Sequence, residues 1–140
     1  MFITWLRFVT LLATVECGDL CSAAAIRDYA KLNAAASLMR HANERAAFIV
    51  RRPSDGSLRL VMWHAGDVGE ASWTGRIPAG TIAIAHTHPP STPDPSRKDL
   101  REAKRLRIPI VIITARRVTI VQIDGTHREV FGAGWTRRAR

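Results

Sequence analysis

His86 and His88 flank a single threonine, and Asp99 follows after a stretch rich in proline, in the segment HTHPPSTPDPSRKD. Side chains alternate across a strand, so residues two apart face the same way and two imidazoles can meet at one point. Neutral imidazole is a good zinc ligand, at roughly 2.0–2.1 Å from nitrogen to metal. Pro89, Pro90, Pro93 and Pro95 exclude regular structure after His88, because each lacks a backbone N–H and locks φ. Ser96 can then cap a helix with Asp99 in its first turn, where the helix dipole favours a carboxylate. Two imidazoles and one carboxylate leave a fourth tetrahedral position for water, the arrangement of a catalytic rather than a structural zinc. The expected ligands are therefore His86, His88 and Asp99, with one Zn2+ per chain. Such water ionises near neutral pH but still needs a general base to move its proton. Glu44 is the first candidate, because it stands where a helix gives way to an apolar strand. Glu70, in a glycine-rich stretch, is the second, and Glu102, one turn beyond Asp99, the third.

The elements that must position these groups follow from periodicity and turn residues. Ile26, Tyr29, Ala30, Leu32, Ala36 and Met39 form an apolar stripe in an Ala-rich helix expected over 23–43. Ala46 to Arg52 and Leu58 to His64 read as a hairpin about Pro53-Ser54-Asp55-Gly56. A long loop over 65–80 precedes a short strand over 81–86. A helix is expected from Arg97 to Leu106, with Leu100, Ala103 and Leu106 on its apolar face and basic residues elsewhere. Strands are expected over 108–115, 118–123 and 129–131, with Asp124-Gly125 as a turn. The order describes one α/β domain with a central sheet.

The histidine segment resembles the JAMM/MPN metalloprotease family in its prokaryotic JAB-type branch. That family's motif is His-x-His-Pro, ten intervening residues from the second histidine to an aspartate, and a serine three before it. His86, His88, Pro89, Ser96 and Asp99 meet every spacing. Asn43-Glu44-Arg45-Ala46 resembles the position of the family's upstream glutamate, and by element order the resemblance spans roughly residues 30 to 131. It implies a cytidine-deaminase-like mixed sheet flanked by helices, zinc, and hydrolysis of peptide or isopeptide bonds in a peptide or protein substrate, ubiquitin-like chains included. It assigns His86, His88 and Asp99 to the metal, Glu44 to acid/base work, and Ser96 to the oxyanion. The segment also resembles the RadC branch of the same fold. A silent or RadC-like module that binds nucleic acid is thus the alternative, and the formal charge of +9 suits it. Deaminase chemistry is excluded, since no Pro-Cys-x-x-Cys follows a His-x-Glu.

Composition sets the remaining bounds. A chain of 140 residues, 46% of them hydrophobic, fits one core. Residues 1–25 read as a signal or an N-terminal extension, 26–134 as the metallohydrolase domain, and 135–140 as a frayed basic tail. The chain is cytoplasmic, or exported if the first segment is a signal. The apolar run Phe8 to Val15 is too short to span a bilayer. Cys17 and Cys21 are too few for a disulfide framework and are expected as unlinked thiols. His41, His64 and His127 read as surface or structural groups, and Trp63, Trp73 and Trp135 as anchors of core or loop.

Overall fold

The computed structural model describes residues 17–37, 44–63 and 75–140. A 3-10 turn, Gly18–Cys21, leads into helix α1, Ala23–Ser37. The Ser22 hydroxyl accepts from the Ala25 N–H at 3.1 Å, which starts the helix by satisfying one of its free donors. Strands β1 (Ala46–Arg51) and β2 (Leu58–Met62) form the expected hairpin. Gly56 takes φ 70° in its turn and donates to the Arg52 carbonyl. Strand β3 (Thr81–Thr87) is followed by helix α2 (Arg97–Leu106), then β4 (Ile110–Ile113), β5 (Val118–Val121) and β6 (His127–Phe131).

The six strands form one sheet in the order β2-β1-β3-β4-β5-β6. Neighbours are antiparallel except β3 and β4, which run parallel. Helix α2 is the crossover that parallel pairing requires. Alternation assigns the two faces. Ala47, Ile49, Ala83, Ala85, Val111 and Ile113 pack with Ile26, Tyr29 and Leu32 of α1. Phe48, Val50, Ile84, Ile110 and Ile112 pack on the other side with Ala103 of α2, and Leu100 and Leu106 lean on that cluster. His86 and His88 have the parity of Ile84, which places them on the α2 side. Buried from Ala46 to Val50, β1 has no polar face over those residues, and this explains its apolar run before Arg51.

Several expectations change. Cys17, Leu20 and Ala25, expected in a leader or extension, are buried in the α1-side core. Cys17 and Cys21 form a disulfide, not two separate thiols. The tight turn brings their Cα atoms to 5.5 Å, a span that a disulfide can bridge. The end of the first expected helix, residues 38–43, lies outside the described residues. The strands over 108–115 and 118–123 are shorter than expected, and the last begins two residues earlier, at His127. The basic tail is not frayed. Residues Trp135–Ala139 form a 3-10 turn in which Trp135 is 2% exposed and its indole N–H donates to the Thr114 carbonyl at 2.9 Å. Arg138 lies over the Phe131 ring at 5.2 Å. Trp135 is thus the core anchor expected of it, and it is the residues after it, expected as a frayed tail, that change. Among the described residues, no helix is long and apolar enough to cross a membrane.

Ending the chain at Gly134 should therefore destabilise the domain by about 3 kcal/mol, since a large buried aromatic is lost with its hydrogen bond. Urea unfolding of the truncated and full chains measures this, and a difference below about 0.5 kcal/mol would restore the frayed-tail expectation.

Candidate metal centre

The site is assembled where β3 ends. Its backbone stays in register past the last strand residue, because the His88 N–H donates to the Ile113 carbonyl of β4 at 3.0 Å. On the other side, Thr87 N–H donates to the Arg45 carbonyl at 2.9 Å, and Arg45 N–H donates to the Thr87 hydroxyl at 2.9 Å. This reciprocal pair pins the entry to β1 against the exit from β3. Glu44 is thereby held beside His86, with Oε2 3.7 Å from Nδ1. The residue between the two histidines was not singled out in the sequence, yet it sets the position of the glutamate.

The proline segment closes into a turn, with Thr92 N–H donating to the Pro89 carbonyl at 3.0 Å. Asp94 pairs with Arg117 at 3.1 Å, which ties the loop to the β4–β5 connection. Helix α2 opens with a full capping box. Ser96 Oγ accepts from Asp99 N–H at 3.1 Å, and Asp99 Oδ2 accepts from the Ser96 N–H at 2.7 Å. The Ser96 hydroxyl also gives its one proton to Asp99 Oδ2, at 2.9 Å. Capping and site-building are thus one arrangement: Oδ2 is held by Ser96 while Oδ1 faces His86 Nε2 at 2.9 Å.

His88 shows what this carboxylate is built to share. Its Nδ1 stands 2.8 Å from the Thr92 carbonyl oxygen. A carbonyl only accepts, so Nδ1 carries the hydrogen and the neutral ring has its lone pair on Nε2. That nitrogen lies 3.4 Å from Asp99 Oδ2. Two acceptors then face each other at a buried site, and only a proton or a cation between them makes the contact favourable. His86 Nε2 lies 2.9 Å from Asp99 Oδ1 and His88 Nε2 3.4 Å from Oδ2, so the two imidazoles meet different oxygens of one carboxylate. Among the described residues, the group with one potential ligand atom each within 4.8 Å of one another is Glu44, His86 and His88, so Glu44 stands in it where Asp99 was expected. His86 Nδ1 is buried without a hydrogen-bond partner among the described residues. The donor set fits a divalent cation of the zinc type.

In the absence of metal the centre holds a proton instead. Burial disfavours a charged His86, but Asp99 and Glu44 outweigh it and push its pKa up to about 9. Burial likewise opposes charge on Asp99, yet the hydrogen bond and charge of His86, with the Ser96 backbone N–H, hold its carboxyl far below the usual carboxylate range.

A profile of prokaryotic homologs of the JAB domain matches residues 27–125. The chain belongs to this JAB family. No curated protein and no solved structure matches it. The match runs from within α1 to the turn after β5, so every group of the centre lies within the JAB domain.

The candidates from sequence separate on this geometry. Glu44, His86, His88, Ser96 and Asp99 all line one cleft of about 600 Å3. Glu102 lines it too, but Arg105 binds its carboxylate at 2.7 and 3.0 Å, leaving it poorly suited to proton transfer. Glu70, His41, His64 and Trp73 lie outside the described residues. His127 is exposed away from the cleft, whereas Trp63 is on its wall. The sequence missed Thr87 and the Thr92 carbonyl. The first could be suspected from a hydroxyl in a strand between two ligands; a backbone carbonyl leaves no mark in residue types.

With His86 raised above its unfolded value near 6.5, the stability it contributes is fully present below that pH and is lost as pH rises through about 9. Chelator-treated protein should lose on the order of 3 kcal/mol between pH 6.5 and 9.5. His86→Gln should flatten that slope. Denaturant titrations at several pH values read it, and equal slopes in the two proteins would refute the buried imidazolium.

Proposed function

We propose that this JAB domain is a zinc-dependent metallopeptidase that hydrolyses a peptide or isopeptide bond in a polypeptide substrate, ubiquitin-like proteins included. The observation that carries it is the pair of acceptors, His88 Nε2 and Asp99 Oδ2, which a proton or a cation between them would satisfy. His86, His88 and Asp99 would hold the ion, and the two nitrogens and one oxygen are the mixed set that suits zinc. A zinc ion bound there would supply a Lewis acid for the substrate carbonyl and a water acidic enough to ionise near neutral pH.

The chain's own residues do the rest. Glu44 lines the cleft with a side chain 22% exposed, its Oε2 3.7 Å from His86 Nδ1. It takes the proton of the attacking water and returns it to the departing amine nitrogen. Asp99 is kept in place by Ser96, and the Thr92 carbonyl keeps His88 in the tautomer that can ligate. Ser96 reaches an oxyanion only if its proton leaves Asp99, so its main work in this reading is to position the ligand.

A second reading has one observation of its own. Arg97, Arg101, Lys104 and Arg105 are exposed on α2, and the chain carries a charge of +9. In that reading the domain is a silent module that binds nucleic acid, with binding that falls steeply with salt.

Elemental analysis and peptide cleavage separate the two. The expected outcome is one zinc per chain, absent from His88→Ala along with activity. Glu44→Gln should keep the zinc and lose roughly 10²–10⁴-fold in kcat. A Glu44→Gln protein as active as the parent removes the acid/base assignment. Zinc-free, inactive parent protein with tight, salt-sensitive DNA binding would favour the second reading.

A further inference from the structure

The cleft extends well beyond the centre. Asp99, Glu102 and Leu106 recur at three- and four-residue spacing along one flank of α2, and all three line it. Seven residues of helix carry this flank roughly 10 Å from the ligand end, room for about three extended residues. The character changes over that length. Near β3's end the lining is imidazole and carboxylate with Ala46 opposite His86, whereas the paired Ile84 and Ile110 lie two residues further back along the sheet, and Leu106 and Trp63 complete the lining. Trp63 stands beside Ala46 by its N–H to the Ala46 carbonyl at 2.9 Å. Its ring packs on Phe48 at 5.3 Å between centroids. An indole held this way presents a rigid apolar surface at small entropic cost.

We infer that this apolar arm is a specificity subsite, and that the JAB domain selects substrates with a large aliphatic or aromatic side chain flanking the scissile amide. The inference rests on the hydrolase reading for its notion of a scissile bond. Its physical basis is the continuity of the apolar arm with the ligand cluster. A chain whose amide lies at His86, His88 and Asp99 has its neighbouring side chain over Ile84 and Trp63. A glycine at that place leaves the apolar floor hydrated, whereas a leucine removes both surfaces from water. Arg97, Arg101, Lys104 and Arg105 do not line the cleft, and Lys98 is the basic residue of α2 that does.

The test uses the full chain loaded with zinc and paired short peptide amides, identical except for Leu or Gly at each of the two positions flanking the cleaved bond. At one of those positions Leu should exceed Gly by roughly 10- to 100-fold in kcat/KM. Trp63→Ala and Leu106→Asp should each bring that ratio within about threefold, chiefly by raising KM for the Leu peptide. Leu106→Met should restore it, which separates loss of the subsite from loss of the fold. Calorimetric binding of the same peptides to Glu44→Gln gives a readout independent of turnover. Selective binding of the Leu peptide without hydrolysis keeps the subsite and removes the hydrolase reading. Hydrolysis with no preference for Leu over Gly removes the subsite and keeps the hydrolase reading. Neither binding nor cleavage of either peptide overturns both.

Discussion

Asp99 carries two duties on two oxygens. Oδ2 closes the capping box of α2 with the Ser96 amide and hydroxyl, and Oδ1 meets His86 across the space between helix and sheet. The first bond belongs to local helix energetics, worth about 1 kcal/mol for a typical cap. The second is a long-range contact that fixes how α2 sits on β3. Because one carboxylate does both, the start of the helix cannot drift without opening the centre. The Pro89–Thr92 turn serves the same end from the other side, by delivering the Thr92 carbonyl to His88. A short, proline-stiffened connection suits this better than a flexible one, since less conformational entropy is lost in bringing strand end and helix start together.

The sheet contributes through edges rather than through its core. β3 is central, with β1 antiparallel on one side and β4 parallel on the other. A strand so placed is held on both sides up to its last residue, and here past it, through the bonds of Thr87 to Arg45 and of His88 to Ile113. Glu44 then comes from a different hairpin, forty-odd residues earlier in the chain, to the same end of the sheet. Antiparallel pairing brings the start of β1 beside the end of β3, with Ala46 opposite His86. The upstream glutamate and the histidines are therefore linked by register. A slip of one residue in that pairing would turn His86 and its neighbours to the opposite face.

Much of this was legible in residue types and spacing. The α2 bounds, Arg97–Leu106, follow from Pro95, the Ser96 cap and the apolar face, and the structure has the same ends. The hairpin followed from its turn, and the shared face of His86 and His88 from strand alternation. What stayed hidden depends on partners distant in sequence or on backbone atoms. The partners of Trp135 are α1 and β-strand residues that no local pattern relates to it. The tautomer of His88 depends on a carbonyl, and Thr87 on an amide from another strand. Strand ends were also poorly marked, because Ile108 and Pro109 continue the apolar run into a segment where the proline ends the ladder.

The division of labour among the four clustered groups explains why a domain of this fold can keep its architecture whether or not it catalyses. Asp99 caps a helix, His86 is buried between two carboxylates, and His88 anchors the proline turn. Loss of any of these removes structural contacts as well as chemistry. Glu44 differs, for among the described residues its carboxylate lies 3.7 Å from His86 Nδ1, beyond hydrogen-bond distance. Held in place through the backbone of Arg45, it can be exchanged for glutamine with little effect on packing. Three of the groups thus make structural contacts of their own, whereas Glu44 acts on the fold through the charge it offers His86, whose pKa it helps to raise. Glutamine at position 44 would keep the shape and remove that charge, so it separates proton transfer from packing more cleanly than a change at the other three.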